Sequence, residues 1–213
     1  MSDLHIGAII PVKTFSRAKT RLNLSQEKTV QICELMLESV LQTLSQTRLI
    51  EKIVLVSKDE KALDMGRKFG AIGIYDEFEQ GVNSAVLLAD NFFLKEGFDA
   101  TMVFPQDIPL ILPEDIQTLY EMRTSNRCVL VVPSRKFDGT NALFRTPPNV
   151  METHYDEDSY KIHLNTAEKR NAKSALVLIR RIMLDIDDQS DLRFILSFSD
   201  TAIASSLKKI LES

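Results

Sequence analysis

Short apolar runs alternate with longer segments of helical periodicity along most of the chain, and this order constrains the fold more than any other feature. Runs such as IGAIIPV (6–12) and KIVLVS (52–57) predict strands. Between them, SQEKTVQICELMLESVLQTLSQT (25–47) has apolar residues at helical spacing, with Ser25 placed to cap the helix. Near-continuous apolar strands separated by helices are typical of a parallel sheet covered on both faces. We therefore predict an α/β fold, a single-domain three-layer α/β/α sandwich with a mostly parallel mixed sheet over residues 1–213.

The C-terminal third of the sequence predicts further elements of the same kind. ALVLI (175–179) and RIMLDID (181–187) are predicted strands, and QSDLRFILSF (189–198) is a predicted helix. DSYKIHLNTAEKR (158–170) also has helical periodicity. Ligands of open α/β sheets bind beyond the carboxyl ends of the strands, so polar motifs at those ends are the candidates for function.

The composition excludes several classes of function. The 26 Lys and Arg against 30 Asp and Glu give a formal net charge of -4, whereas a general nucleic-acid binder carries a basic excess. No apolar run is long enough for a membrane span, and the N-terminus lacks a signal-peptide pattern. Cys33 and Cys128 are far apart and are expected to be free, buried thiols in a reducing cytoplasm. We expect a cytoplasmic protein that binds neither nucleic acid nor membranes.

Four cations follow the first predicted strand closely: Lys13, Arg17, Lys19 and Arg21. Because this stretch lies at a strand's carboxyl end, we predict that it holds an anion. The stretch KTFSRAKTR contains no glycine and no Walker A pattern, so phosphates would be gripped by side chains and not cradled by a loop. The alternative is a solvated basic loop.

Two acidic motifs are predicted to lie at the same edge of the sheet. VFPQDIPLI places Asp107 just past a buried strand, on a loop that two prolines stiffen. IMLDIDDQSDL places Asp185 and Asp187 two residues apart, so on a strand both would leave the same face. Carboxylates aimed together repel unless a cation neutralises them, and magnesium binds to a few carboxylates together with nucleotide phosphates. The alternatives are a loop aspartate bonded to its own backbone and a helix N-cap at Asp187 or Asp188.

Polar residues at a predicted helix start are further candidates. EQGVNSAV contains Gly81, which would let the backbone approach a ligand closely. Asn83 offers a donor and an acceptor to a base or ribose, and Ser84 follows it. The alternative is a routine helix cap.

Two more motifs lie in the second half of the sequence. DGTNALF carries Thr140 after an Asp-Gly turn signal, although most such stretches are plain hairpins. DSYKIH places Ser159 and His163 four residues apart, on one face of a helix.

These motifs occur together in a recognisable order. IPVK followed by AKTRL, then QGVNSAV, PQDIPLI, DGTNALF, YDEDSYKIH and LDIDDQSDL span nearly the whole chain. In this combination the sequence resembles the 2-phospho-L-lactate guanylyltransferases of coenzyme F-420 biosynthesis, a branch of the nucleotidyltransferases with a GT-A-like fold. The resemblance implies that a phosphate oxygen of a small phosphorylated three-carbon acid attacks the α-phosphorus of GTP and expels pyrophosphate. It also implies a homodimer.

Carried over to this sequence, the resemblance implies a role for each motif. Magnesium would be held by Asp107, Asp185 and Asp187. The catalytic residues would be Lys13, Lys19, Arg21 and Asp107, and the nucleotide would be bound by Lys13, Arg17, Lys19, Arg21, Gly81, Asn83 and Ser84. The acceptor would be bound by Thr140, Asp156, Ser159 and His163.

One departure from the family concerns the acceptor. Asp156 stands where the family has glycine in its Tyr-Gly-x-x-Ser pattern. A carboxylate facing the pocket would repel an anionic acceptor, so Asp156 either points away or signals a changed substrate.

Two other hypotheses stay open at this point. The first is a nucleotidyltransferase that uses phosphoenolpyruvate or 3-phosphoglycerate, because nothing in the sequence measures the small difference between these acids. The second is a non-catalytic GTP-binding or scaffold protein of the same fold. The absence of a Ser-His-Asp triad does not favour the second, since a phosphate monoester has a second pKa of about 6 and needs no base to become a nucleophile.

Overall fold

The computed structural model describes residues 4–155, 158–198 and 200–213, which form one sheet between two layers of helices. The strands are β1 (Ile6–Val12), β2 (Lys52–Ser57), β3 (Ile72–Tyr75), β4 (Ala100–Val103), β5 (Cys128–Pro133), β6 (Thr140–Thr146) and β7 (Lys173–Leu176). The helices are α1 (Gln26–Gln46), α2 (Glu60–Lys68), α3 (Val82–Lys95), α4 (Pro113–Glu121), α5 (Ser159–Lys169), α6 (Gln189–Leu196) and α7 (Ala202–Glu212). Two short 3-10 turns, Phe15–Arg17 and Thr20–Leu22, follow β1.

The sheet has seven strands in the order β3-β2-β1-β4-β6-β5-β7. β6 is antiparallel to both of its neighbours, and the remaining pairs are parallel. The predicted sandwich with a mostly parallel mixed sheet is therefore confirmed. Because β6 runs against the others, it begins at the edge where β1 and β4 end, which brings Thr140 beside their carboxyl ends.

The apolar residues form one core on each face of the sheet. Helices α1, α2, α4, α6 and α7 contribute to the core on one face, and α3 and α5 to the core on the other. Along β1, Ala8 and Ile10 face the first core while Ile9 faces the second, as the period of a strand requires. Gly7 also faces the second core, where a Cβ would lie 2.2 Å from the ring of Phe93. Glycine at this position therefore lets α3 pack directly on the central strand.

Most of the predicted elements are confirmed, and α1 has its predicted cap. The side chain of Ser25 accepts a hydrogen bond from the backbone N–H of Lys28 at 3.3 Å, and Pro113 is the first residue of α4. Cys33 and Cys128 are both buried and unpaired, as predicted. No helix within the described ranges combines the length and the apolar character needed to cross a bilayer.

The prediction of a strand at 181–187 is wrong. This segment is a turn followed by a loop, because the chain leaves the sheet once β7 ends at Leu176. Leu184 and Ile186 are nonetheless buried, and the backbone N–H of Ile186 donates to the carbonyl of Asp107 at 3.0 Å. The apolar alternation that suggested a strand does correspond to alternating burial along 181–187. The burial arises because every second side chain packs into the core, and not because the segment joins the sheet.

Candidate active site

A cavity of about 680 Å³ opens at the carboxyl ends of β1 and β4. Its wall includes all four predicted cations, together with Gly81, Asn83, Asp107, Thr140 and Asp187. Motifs that are far apart in the sequence therefore meet at one place. Ser84 and Asp185 lie outside this wall, and Asp156 lies outside the described residues.

The loop after β1 is held by buried anchors and by backbone contacts. The side chains of Phe15, Ala18 and Leu22 are buried. The backbone N–H of Phe15 donates to Asp59 at 3.0 Å, and that of Thr14 donates to Glu79 at 2.6 Å. These contacts fix the loop while Lys13, Arg17 and Arg21 remain exposed on the cavity wall.

Lys19 differs from the other three cations. Its side chain is only 9% exposed, and its ammonium group lies between the carboxylates of Asp107 and Asp187, which it contacts through Nζ. Its backbone is left-handed, with φ 54° and ψ 35°, a conformation that costs a non-glycine residue about 1–2 kcal/mol. This turn aims the Lys19 side chain at the two acids.

The ion pairs set the protonation of both partners. Burial alone would lower the pKa of Lys19, but the charges of Asp107 and Asp187 outweigh burial and raise it above its ordinary value. For Asp187, burial would raise the pKa, but Lys19 outweighs it and lowers the pKa below its ordinary value. Lys19 therefore stays charged and at least one carboxylate stays ionised beside it.

Asp185 has a different environment from Asp187. Its Oδ1 accepts a hydrogen bond from Asn141 Nδ2 at 3.0 Å, and Asn141 also donates to the carbonyl of Ile182 at 3.0 Å. Burial first, and then the charge of Asp107, raise the pKa of Asp185 to about 7. Asp185 thus lies near the other acids, and no cation within the described ranges forms an ion pair with it.

The three aspartates are not arranged as a ready set of metal ligands. Across the described chain, no three Asp, Glu, His or Cys side chains converge so that they hold a metal ion between them. Asp107 and Asp187 face each other across Lys19, and Asp188 is the N-cap of α6, accepting from the backbone N–H groups of Ser190 and Asp191. The two interpretations of this acidic motif therefore hold for different residues: Asp188 caps the helix and Asp187 faces the cavity.

One atom in this cluster lacks a partner. Oδ1 of Asp107 is buried and, among the described residues, receives no hydrogen bond. An unpaired buried carboxylate oxygen is costly, and a divalent cation or an ordered water would satisfy it.

The start of α3 forms another part of the wall. Gly81 has φ 99°, a value that favours glycine, and no atom lies within 4 Å of where its Cβ would be. The side-chain carbonyl of Asn83 accepts from the backbone N–H of Tyr155 at 2.9 Å. Asn83 therefore ties the segment before α5 to the start of α3, and its amide nitrogen is the group that remains to meet a ligand.

The residues predicted to bind the acceptor form a layered network. Thr140 lies on the cavity wall, whereas Ser159 and His163 lie behind it and are 1% and 0% exposed. Ser159 Oγ lies 3.0 Å from Thr140 Oγ1, and His163 Nδ1 lies 3.0 Å from the same oxygen. The structure thus places Thr140 where a ligand can reach it and places the other two residues in contact with Thr140.

Sequence reasoning missed several residues of this site. Asp76 and Glu79 belong to the wall, and Glu79 receives the hydrogen bond of Thr14 and lies 3.5 Å from Arg17. The acid-rich stretch YDEFEQG after β3 was the available signal for these two. No sequence pattern pointed to Asn141, because its position depends on how β5 and β6 pair. The register shifts at this point, where Val132 pairs with Ala142 and Pro133 pairs with Thr140.

Comparison with known proteins identifies the family of this chain. The family described as guanylyl transferase CofC like matches residues 6–212. A phosphoenolpyruvate guanylyltransferase of Conexibacter woesei is 31% identical over 188 residues, which are 87% of this chain and 84% of that protein. A 2-phospho-L-lactate guanylyltransferase of Methanothermobacter thermautotrophicus is 30% identical over 187 residues, which are 87% and 81%.

Solved structures with little sequence similarity share the fold. A protein from Desulfovibrio desulfuricans G20, provisionally named a nucleotide-diphospho-sugar transferase, superposes with a TM-score of 0.73 at 15% identity, covering 97% of this chain and 95% of that one. A cytidylyltransferase from Leptospira borgpetersenii has a TM-score of 0.61 at 13% identity, covering 98% and 93%. These similarities show that the sheet and its helices have the nucleotide-diphospho-sugar transferase fold. With its family match over residues 6–212, this chain belongs to the guanylyl transferase CofC-like family.

Proposed function

We propose that this protein transfers the guanylyl group of GTP to 2-phospho-L-lactate, giving lactyl-2-diphospho-5'-guanosine and pyrophosphate. The observation that carries the proposal is the cavity at the ends of β1 and β4, in which a cation-rich loop faces Asp107 and Asp187. Family membership and relatives with this activity in their names support it.

The chemistry requires two polyanions to meet. Two unit charges about 4 Å apart interact by about 4 kcal/mol at an effective dielectric constant near 20, so several unscreened pairs would prevent attack. In this proposal Lys13, Arg17 and Arg21 lower that repulsion at the triphosphate. The acceptor phosphate is already largely deprotonated at neutral pH, with a second pKa of about 6, and its oxygen attacks the α-phosphorus as pyrophosphate leaves.

We further propose that Asp107 and Asp187 hold magnesium when nucleotide is present, with Asp185 behind them. Their chemistry fits, because magnesium binds through one or two carboxylates plus substrate phosphates, and Asp107 Oδ1 is buried without a partner in the described structure. The Lys19 ammonium lies between these carboxylates and acts as a stand-in cation, so it is expected to turn toward the phosphates when the metal binds. Bound magnesium would supply neutralisation of phosphate charge.

Phosphoenolpyruvate is the second candidate acceptor. Relatives named for this substrate are as similar as those named for 2-phospho-L-lactate, at 31% and 30% identity. The two acids differ only by two hydrogen atoms across the C2–C3 bond, and both carry the phosphate and carboxylate that the cavity would need to recognise. A homodimer and a cytoplasmic location are also proposed, on the family resemblance and on the two unpaired, buried cysteines.

The test is an acceptor panel with GTP and magnesium, in which products are identified by mass. Formation of the GDP-linked product from 2-phospho-L-lactate at the highest kcat/KM supports the proposal. A higher kcat/KM with phosphoenolpyruvate or 3-phosphoglycerate would show that this other acid is the acceptor, and guanylyl transfer from GTP would still be the reaction. Tight GTP binding with no product from any phosphorylated acid would overturn the enzymatic proposal in favour of a nucleotide-binding scaffold.

A further inference from the structure

His163 is the most completely buried ionisable group near the cavity that the proposed chemistry does not use. It lies on α5 with 0% exposure, and both of its ring nitrogens have partners. Nε2 accepts from the backbone N–H of His154 at 2.9 Å, and Nδ1 lies 3.0 Å from Thr140 Oγ1. Neither nitrogen is open to the cavity.

These contacts determine where the ring proton is. A backbone N–H can only donate, so Nε2 must carry the lone pair and the single proton of the neutral ring must lie on Nδ1. Burial first, and then the charges of Arg145 and His154, lower the pKa of His163 to about 3, so the ring is neutral at physiological pH. Nδ1–H therefore donates to Thr140 Oγ1.

Ser159 completes the arrangement around Thr140. Its hydroxyl lies 3.0 Å from Thr140 Oγ1, is buried, and has no other hydrogen-bond partner among the described residues. If Thr140 donated to Ser159, the Ser159 proton would be buried and unpaired, which costs about 1–3 kcal/mol. Ser159 therefore donates, and both acceptor positions of Thr140 Oγ1 are filled.

We propose that His163 is a positioning residue that, with Ser159, makes the Thr140 hydroxyl a hydrogen-bond donor into the cavity. A hydroxyl normally donates or accepts, and it adapts to its ligand. With two donors aimed at its oxygen, Thr140 has only its proton to offer, so it selects a hydrogen-bond acceptor and rejects a donor group. The selected atom is a phosphate or carboxylate oxygen of the three-carbon acid, a step that rests on the proposed function.

The first experiment measures the tautomer and needs no substrate. A 15N spectrum of the imidazoles of the full-length protein contains only three histidines, and His163→Asn identifies the signal of interest. We expect a protonated Nδ1 and an unprotonated Nε2 near neutral pH. A ring that is protonated on Nε2, or on both nitrogens, would overturn the proposal whatever the enzyme's substrate proves to be.

The second experiment separates positioning from structural support. Thr140→Val removes the donor and is expected to raise KM for the acceptor about tenfold or more, with KM for GTP nearly unchanged, whereas Thr140→Ser restores the donor. His163→Asn keeps an N–H donor near the Nδ1 position and is expected to retain most acceptor affinity, whereas His163→Leu loses it. His154→Gln is the matched control, because only the backbone of His154 takes part in the network.

A purely structural role gives a different pattern. In that case His163→Asn and His163→Leu would change KM for GTP and for the acceptor together, in proportion to their loss of thermal stability, and this result would overturn the proposal. If no phosphorylated acid gives turnover with the wild type, the proposed function fails, and the 15N measurement still decides the tautomer and the donor assignment on its own.

Discussion

Two walls of the same cavity differ in the side chains that form them, which are charged in one wall and neutral in the other. The charged wall consists of Lys13, Arg17, Lys19, Arg21, Asp107 and Asp187. The neutral wall consists of Thr140, with Ser159 and His163 behind it. In the charged wall Lys19 lies between two carboxylates and the other three cations are exposed, whereas in the neutral wall the supporting groups are buried and uncharged.

This difference separates two ways of preparing a site for anions. Lys19 neutralises Asp107 and Asp187 in this structure, and under the proposed function magnesium would take its place, so the charged wall is expected to exchange partners when nucleotide binds. The neutral wall has its hydrogen bonds already made, and only the Thr140 proton is left to donate. Ligand binding at the charged wall should therefore depend on charge and salt concentration, and ligand binding at the neutral wall should depend on the direction of the hydrogen bonds.

The largest effect is expected from Asp107→Asn in the charged wall. The change removes the negative charge that faces Lys19 and that is proposed to hold magnesium, so turnover should fall by about 10²–10³-fold while the fold survives. Magnesium-dependent release of pyrophosphate is the measurement, with thermal unfolding as the check on folding. Unchanged turnover would show that Asp107 takes no part in the reaction.

Asp188→Asn is the matched control for that substitution. Asp188 lies next to Asp187 in sequence but caps α6 and pairs with Lys136 outside the cavity wall. Because asparagine also caps helices well, this variant should keep its turnover and lose less than about 1 kcal/mol of stability. A loss of turnover as large as that of Asp107→Asn would show that the acidic loop acts as a unit.

The next effect is a pH dependence that belongs to the neutral wall. The pKa of His163 is lowered from 6.5 to about 3 in the folded protein, so the unfolded chain takes up a proton between these values and the folded protein does not. The stability that His163 contributes is thus fully present above pH 6.5 and decreases as pH falls toward 3. Relative to His163→Asn, the wild type should lose about 2–3 kcal/mol at two pH units below 6.5.

Urea unfolding of both proteins across this pH range is the measurement. The stability difference between wild type and variant should be constant above pH 6.5 and should change steadily below it. Parallel curves throughout the acidic range would mean that His163 titrates in the folded protein as it does in water, and the buried neutral network would then be wrong.

Lys19→Met should make the charged wall depend on metal for stability. Without the ammonium group, Asp107 and Asp187 repel across a partly buried gap, so the free protein should lose about 2 kcal/mol of stability. Magnesium alone should then raise the melting temperature of the variant more than that of the wild type, because the position of the stand-in cation is vacant. Equal responses to magnesium would argue against a metal at these two carboxylates.

Lys136→Met provides the control for that experiment. Lys136 also bridges two carboxylates, Asp188 and Asp191, but it lies outside the cavity wall. Arg135, which the substitution leaves in place, lies 2.9 Å from Asp191 in this structure. Because this charge stays neutralised, Lys136→Met should lose some stability without gaining a response to magnesium.

The two walls also differ in how far the sequence predicts them. The order of strands and helices follows from apolar periodicity, and the four cations and Asp107 follow from their place after strands. Asp187 is predicted on a strand at 181–187, which does not form. Contacts between distant residues do not follow, and Lys19 meets Asp107 and Asp187 across 88 and 168 positions of sequence. The segment 181–187 shows the same limit, because its alternating pattern reports burial and not membership of the sheet.

The neutral wall is harder to predict because its residues carry no charge signature. Helical spacing correctly places Ser159 and His163 on one face of α5, but periodicity does not say what that face meets. The answer depends on β6, which runs antiparallel and begins at Thr140 beside the carboxyl ends of its neighbours. Sheet topology therefore decides which polar residue of this wall lines the cavity and which residues lie behind it.

The smallest effect is expected from single exposed cations of the charged wall, and it is the one that most directly contrasts the two walls. Arg17 is exposed and lies 3.5 Å from Glu79, so Arg17→Gln should raise KM for GTP only a few-fold, about 1 kcal/mol or less. The same variant should flatten the salt dependence of that KM, since screening lengths fall from about 10 Å at 0.1 M to about 3 Å at 1 M.

Thr140→Val should leave the salt dependence of KM for GTP as it is in the wild type. Arg67→Gln, which removes a comparable exposed arginine away from the cavity, should change neither KM for GTP nor its salt dependence. If Thr140→Val and Arg17→Gln altered the salt dependence alike, the division of the cavity into a charged and a neutral wall would not describe how it recognises its ligands.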